Sequence, residues 1–249
     1  MLPSLQIEGS RATITLRRPE MANKLTPEDL PELRRHFATV DATPAVLVLV
    51  LRSEGKHFCS GFDIGSVAQS QTEGSGFGDM VDALENCRAV TIAALQGGVY
   101  GGATDMVLAC DFRLGCEAGE MFMPAARLGL HYYPTGMQRY VSRLGLNTAK
   151  RLFLTAEKIG AQAMLDCGFL THLVPRESLP DEVERLAATL GAMAPIPLLG
   201  MKQHLNRIAQ GRFDPAAAAR DVARSVVSQD LAEGGQAWKE KRTPVFTGR

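Results

Sequence analysis

Residues 94–111, ALQGGVYGGATDMVLACD, join a glycine cluster to an apolar, helix-patterned segment that carries a single carboxylate. Glycine lets backbone approach a ligand closely, and the first N–H groups of a helix have no intrahelical acceptor. Gly101, Gly102 and Ala103 are therefore candidate donors to an oxyanion. Asp105 falls one turn inside the helix, among Met106, Val107, Leu108 and Ala109. An acid so placed is either a desolvated general acid or base beside an anion hole, or an N-terminal carboxylate favoured by the helix dipole. A glycine-lined packing site with a capping aspartate is the alternative, and this stretch by itself does not decide.

The flanking pattern alternates strands and helices, which predicts an α/β layer architecture. LQIEGSRATITL reads as two short strands joined at Gly9 and Ser10, and TPEDLPELRRHFATV as a helix with Thr26 at its N-cap and Pro27 at its first position. The leucine and β-branched run at 46–52 predicts a strand buried on both faces, followed by a polar turn and a second glycine-centred elbow at Gly61. That elbow offers a further N–H donor, at Phe62. Residues 65–79 are rich in glycine and serine and predict a loop. Helices are expected at about 136–153, 161–168, 178–193, 195–210 and 214–232.

Charge and motif content narrow the function classes. Lys plus Arg equals Asp plus Glu at 27 each, so no net field draws nucleic acid or an anionic membrane. The start MLPSLQIEGS lacks the basic end and long apolar core of a signal peptide, and the apolar stretch at 89–110 is interrupted by glycines, Gln96 and Asp105. Five cysteines without CxxC spacing argue against a metal or disulfide framework and for a cytoplasmic setting. GxGxxG, GxxxxGK[ST] and GxSxG are all missing, which weakens nicotinamide, flavin, P-loop and serine-hydrolase readings. His57, Cys59 and Ser60 lie close in HFCS, but neighbours on an extended chain face opposite ways, which disfavours a nucleophile there.

The pair SEGKHFCSGFD (53–63) and QGGVYGGATD (96–105), in that order after a strand, resembles the enoyl-CoA hydratase/isomerase, or crotonase, superfamily. LRRPEMANKLTPEDL, ACDFRLGCEAGEMFMPAARLGL and AEGGQAWKEKRTPVF extend the resemblance over nearly the whole chain. It implies a crotonase-like spiral of ββα units spanning 1–195, with a helical C-terminal region at 196–249 that packs against neighbours in a homotrimer or dimer of trimers. It also implies an acyl-CoA thioester as substrate, with coenzyme A as part of that substrate, no permanently bound cofactor and no metal. Two backbone N–H groups, those of Phe62 and Gly102, would hold the thioester oxygen as it takes on enolate charge. Ala22 and Lys24, with Ser60, Asp63, Ile64 and Gly101, would line the coenzyme side, and Trp238 and Lys241 in the tail would meet adenine and phosphate. Residues 65–79 match a variable flap over the acyl pocket.

The acids depart from the family pattern. Asp105 fills the first glutamate position, and Ala125 fills the second, where no proton can be held. Tyr133 stands where some members carry a later acid; His131 and Tyr132 are the other candidates nearby, and Arg127 is a candidate partner for Asp105 or for an acidic acyl group. The resemblance therefore implies an enolate-forming hydratase or double-bond isomerase, since one group can remove and return a proton. A hydrolase or carbon–carbon lyase of the family, or a non-catalytic acyl-CoA-binding homologue, is the alternative.

Overall fold

The computed structural model describes residues 1–63, 65 and 76–249, so Ile64 and the 66–75 portion of the expected flap lie outside the described residues. β1 (Ser4–Glu8) and β2 (Arg11–Leu16) form the expected hairpin, turned at Gly9, whose φ of +58° suits glycine. β3 (Val48–Ser53), β4 (Val90–Leu95), β6 (Phe112–Cys116) and β9 (His172–Val174) extend it to a six-stranded sheet in the order β1-β2-β3-β4-β6-β9, parallel beyond the first pair. A second sheet holds β5 (Val99–Tyr100), β7 (Glu120–Phe122) and β8 (Ile159–Gly160), with β5 and β8 flanking β7.

With α3 (Gly102–Leu108) and α4 (Pro134–Leu144), the segments β4–β5–α3 and β6–β7–α4 each run from a strand of the large sheet to a strand of the small sheet to a helix. These are the turns of a ββα spiral. The large sheet is buried on both faces, as its continuous apolar runs require. One face packs Ile14, Leu49, Leu51 and Ala93 toward α1 (Asp29–Asp41) and α2 (Phe77–Glu85); the other packs Val48, Val50, Ile92 and Leu114 against α7 (Leu179–Gly191). Among the described residues no helix is long and apolar enough to cross a membrane.

Three predicted helix boundaries shift for local reasons. α1 starts at Asp29 rather than after Thr26, because Asp29 Oδ2 accepts from both the Thr26 N–H and its hydroxyl, while Arg18 grips both carboxylate oxygens at 2.7 and 2.8 Å. That capture turns residues 26–28 outside the helix. The stretch at 136–153 is two helices, α4 and α5 (Leu146–Thr155), separated at Gly145, whose φ of +79° and ψ of 157° interrupt the helix. After α6 (Ala161–Asp166), α8 (Pro195–Ala209) and α9 (Pro215–Val226), the last predicted helix likewise stops at Val226. A new helix, α10 (Gln229–Glu240), begins where Ser228 Oγ caps the Leu231 N–H.

Candidate active site

Two backbone elbows meet at the start of α3. The segment 58–63 runs between the first loop and the second sheet. On one edge the Ser60 N–H donates to Ala22 O, the Leu25 N–H to Gly61 O and the Asp63 N–H to Leu25 O; on the other, the Phe58 N–H donates to Gly98 O and the Tyr100 N–H to Cys59 O. Alternation along an extended chain then turns the Phe62 N–H away from the Leu25 side. Gly61 allows the close approach: its φ is +97°, and a Cβ there would stand 2.7 Å from Tyr100 O and 3.2 Å from Gly102 N. The Gly102 N–H is the first of α3 and has no intrahelical acceptor. Among the described residues neither the Phe62 nor the Gly102 N–H has a protein acceptor. The Gly101 N–H differs from expectation: it donates to Phe122 O at 3.0 Å, so Gly101 shapes the elbow through its φ of +55° and is not a free donor.

Asp105 lies one turn farther along α3 and is fully buried. Its Oδ1 accepts from Arg139 Nε at 3.1 Å, and its Oδ2 accepts from Arg139 Nη2 at 3.3 Å and from the Tyr133 hydroxyl in a short hydrogen bond. Arg127, weighed above as its partner, instead donates to the carbonyls of Thr155 and Ala156, because it sits in the short turn at 126–128 that packs on α5. Burial raises the Asp105 carboxyl above its usual value against the opposing pull of Arg139 and the Tyr133 hydroxyl. Burial, and then Tyr132 and Asp105, push the Tyr133 hydroxyl well above its ordinary range, so it holds its proton and acts as a donor.

Tyr133 is the N-cap of α4, which brings its partly exposed ring back over α3. It stacks on Tyr132 at 4.4 Å between ring centroids and meets Phe77 edge-on at 6.2 Å; Phe77 in turn lies 5.6 Å from Phe62. Ala125, Leu130, Tyr132, Met137 and Phe153 line an apolar cavity of about 240 Å³ beside this stack. His131 is exposed at its rim, with Nδ1 on the Tyr132 carbonyl. Close packing continues at Gly136, where a Cβ would sit 2.4 Å from Tyr132, 2.9 Å from Tyr133 and 3.0 Å from Asp105 Oδ2. Gly136→Ala should therefore displace the tyrosine pair, lowering turnover and costing about 1–3 kcal/mol of stability by denaturant unfolding. Unchanged stability and rate would show that the pair has slack.

The first-loop residues gather on one side of the elbows. Ala22 bonds Ser60 through backbone, and Lys24 Nζ pairs with Asp63 Oδ1 at 3.0 Å. The tail residues are not brought to them by any contact among the described residues. Trp238 on α10 is 86% exposed, Lys241 follows at the helix end with φ of +54°, and Arg242 is engaged by Glu233 and Glu240. Two residues escaped the sequence reading. Asn23, buried with φ of +53°, ties the Glu54 and His57 carbonyls to the first loop. The signal that would have found Arg139 is its place within the buried stripe Gly136, Tyr140, Leu144, a spacing that buries a charge and requires a carboxylate beside it.

Residues 6–249 match the family model described as enoyl-CoA hydratase/isomerase. Similar curated proteins include the peroxisomal Delta(3,5)-Delta(2,4)-dienoyl-CoA isomerase of Arabidopsis thaliana, 28% identical over 94% of this chain and 91% of its own. The short-chain-enoyl-CoA hydratase of Clostridium acetobutylicum is 29% identical over 96% and 94%. A solved enoyl-CoA hydratase from Bacillus anthracis is similar over 100% of both chains, with a TM-score of 0.89 at 27% identity.

Proposed function

The chain belongs to the enoyl-CoA hydratase/isomerase family and is an acyl-CoA enzyme of that type; from that premise we propose that it shifts a proton along an enoyl-CoA rather than adding water to it. The observation that carries this reading is the hydrogen bond from Tyr133 to buried Asp105, in a chain whose second acid position is Ala125. Thioester oxygen accepts from the Phe62 and Gly102 N–H groups. The C–H bond at the α-carbon, between the thioester carbonyl and the 3-ene double bond, breaks; its proton passes to the Tyr133 oxygen, and the proton of Tyr133 passes to Asp105 Oδ2. The electron pair moves onto the thioester oxygen as an enolate, held by the two N–H groups. Return of the proton along the same path to a different carbon moves the double bond and restores both residues. No water is consumed, and no second carboxylate is needed.

The apolar cavity beside Ala125 suits the acyl tail, and Ala22, Lys24, Ser60, Asp63 and Gly101 suit the coenzyme end. Trp238 and Lys241, both exposed, keep the role of adenine and phosphate contacts, across the coenzyme of the same or a neighbouring subunit. Exposed Met201, Leu205, Ile208, Val222 and Val226 on α8 and α9 support a homotrimer or dimer of trimers formed through these helices, which light scattering would read directly.

Tyr133→Phe tests the reading. Isomerisation of a 3-enoyl-CoA should fall on the order of 10²-fold or more, while coenzyme A should raise the melting temperature of the variant and of the unmodified protein equally. Turnover within a few-fold of the unmodified protein would remove Tyr133 from the proton path. The pH profile supplies a second check. Asp105 must be ionised to accept a proton, and burial holds its carboxyl above the ordinary value for aspartate, so kcat should fall with decreasing pH through a limb above the ordinary carboxylate range.

A further inference from the structure

Arg139 forms the centre of a buried charge cluster larger than the site requires. Its side chain is 1% exposed and its fork reaches three carboxylates: Asp105 on α3, Asp82 on α2 at 2.8 Å through Nη2, and Glu85 on α2 through Nη1 in a short bond. Glu85 is held from the far side as well, by Arg143 at 3.3 Å and by Gln210 Nε2, just beyond α8, at 2.9 Å, while Asn206 Nδ2 of α8 donates to its backbone carbonyl. Three acids thus face two guanidinium groups.

We propose that Arg139 is a positioning residue for the proton-transfer step, orienting the Asp105 carboxylate toward Tyr133, and that Glu85 and Asp82 set its basicity by competing for the same guanidinium. This rests on the proton-shift reading above. Arg139 fixes Asp105 through both oxygens, which leaves Oδ2 aimed at the Tyr133 hydroxyl. Were Arg139 paired to Asp105 alone, its full charge would hold the carboxylate ionised and weakly basic. Sharing that charge with Glu85 and Asp82, both on α2, weakens the hold. The groups facing Asp105 are Arg139, Tyr132, Tyr133 and Tyr140 from α4 and its start, and Glu85 from α2. Burial opposes the charge of Arg139, yet Asp105 and then Glu85 raise its pKa, so it is a cation at every working pH.

Glu85→Gln keeps shape, and its amide oxygen can still accept from Arg139 and Gln210, while the bond from Arg143 and one competing charge are lost. The acid limb of kcat should move down by about 0.5 to 1 pH unit and kcat at neutral pH should drop several-fold, up to about tenfold, with KM for the thioester unchanged. Asp82→Asn, at a carboxylate about one-third exposed and so tolerant of substitution, should move the limb in the same direction by less. If Glu85→Gln does not fold, Asp82→Asn decides alone. A cluster that only stabilises the fold would lower the melting temperature of both variants and leave the limb in place. A limb that is unmoved or raised overturns the proposal. Full turnover by Asp105→Asn in the same assay overturns the proton-shift reading with it, whereas loss in Asp105→Asn with an unmoved limb in the other two overturns the role of Arg139 alone.

Discussion

Gly102→Val is expected to abolish turnover while leaving the fold in place. The Gly102 N–H stands free at the start of α3, beside the Gly61 elbow, and loss of one oxyanion donor removes about 10²- to 10³-fold of rate, roughly 3–4 kcal/mol of transition-state stabilisation. Valine keeps this N–H, so the donor is lost to the thioester by steric blocking. A Cβ at 102 would lie 2.9 Å from the Phe77 ring, so the ring must turn, and the branched side chain then occupies the approach to the N–H. Helix α3 itself accepts the residue, because position 102 has helical backbone with no positive φ. Steady-state kinetics together with circular dichroism would check both halves. Activity within tenfold of the unmodified protein would mean that the thioester oxygen sits elsewhere.

Asp105→Asn is expected to lose on the order of 10²-fold or more in rate, the usual contribution of a positioned acid or base. The substitution is close to isosteric. Its carbonyl oxygen can still accept from Arg139, and the four groups left in the cluster, Arg139 and Arg143 against Asp82 and Glu85, balance in charge. Stability carries a separate signature. The folded-state pKa of Asp105 is raised, so its ionisable contribution to stability is present below the unfolded value of 3.8 and is lost as pH rises through the folded value. The variant should therefore show a flatter dependence of stability on pH between the unfolded value and the folded one, along with its loss of rate. A change in stability with turnover intact would make Asp105 a purely structural acid.

Much of this arrangement is legible in the sequence because backbone carries it. Gly61 and Gly102 announce close approach, the 46–52 run announces a doubly buried strand, and the order of elbows announces which N–H groups can converge. The pairing of Tyr133 with Asp105 is harder to read, since it depends on the fold returning the start of α4 over α3, a contact between residues 28 apart in the chain. Arg127 was the nearer choice of partner for Asp105 by motif position, and Arg139 won because α4 packs against α3 while the 126–128 turn packs on α5. Helix starts at Asp29 and Gln229 were missed for a related reason. Each is set by a side-chain hydrogen bond, Asp29 to Thr26 and Ser228 to Leu231, whose geometry no periodicity records. Gly101 looked like a donor, and only the pairing of the second sheet reveals that Phe122 takes its N–H.

The most direct test of the central claim is to give the unmodified protein a 3-enoyl-CoA and crotonyl-CoA in parallel, separate the products by liquid chromatography, and follow them by the ultraviolet absorbance of the conjugated enoyl thioester together with mass spectrometry. A single proton relay through Tyr133 and Asp105, with alanine at 125, predicts that the 3-enoyl-CoA is converted to its 2-enoyl isomer at unchanged mass, while crotonyl-CoA remains largely unhydrated over the same interval. Rapid conversion of crotonyl-CoA to a product heavier by one water would contradict the account, and would require a second proton-carrying group that Ala125 does not supply.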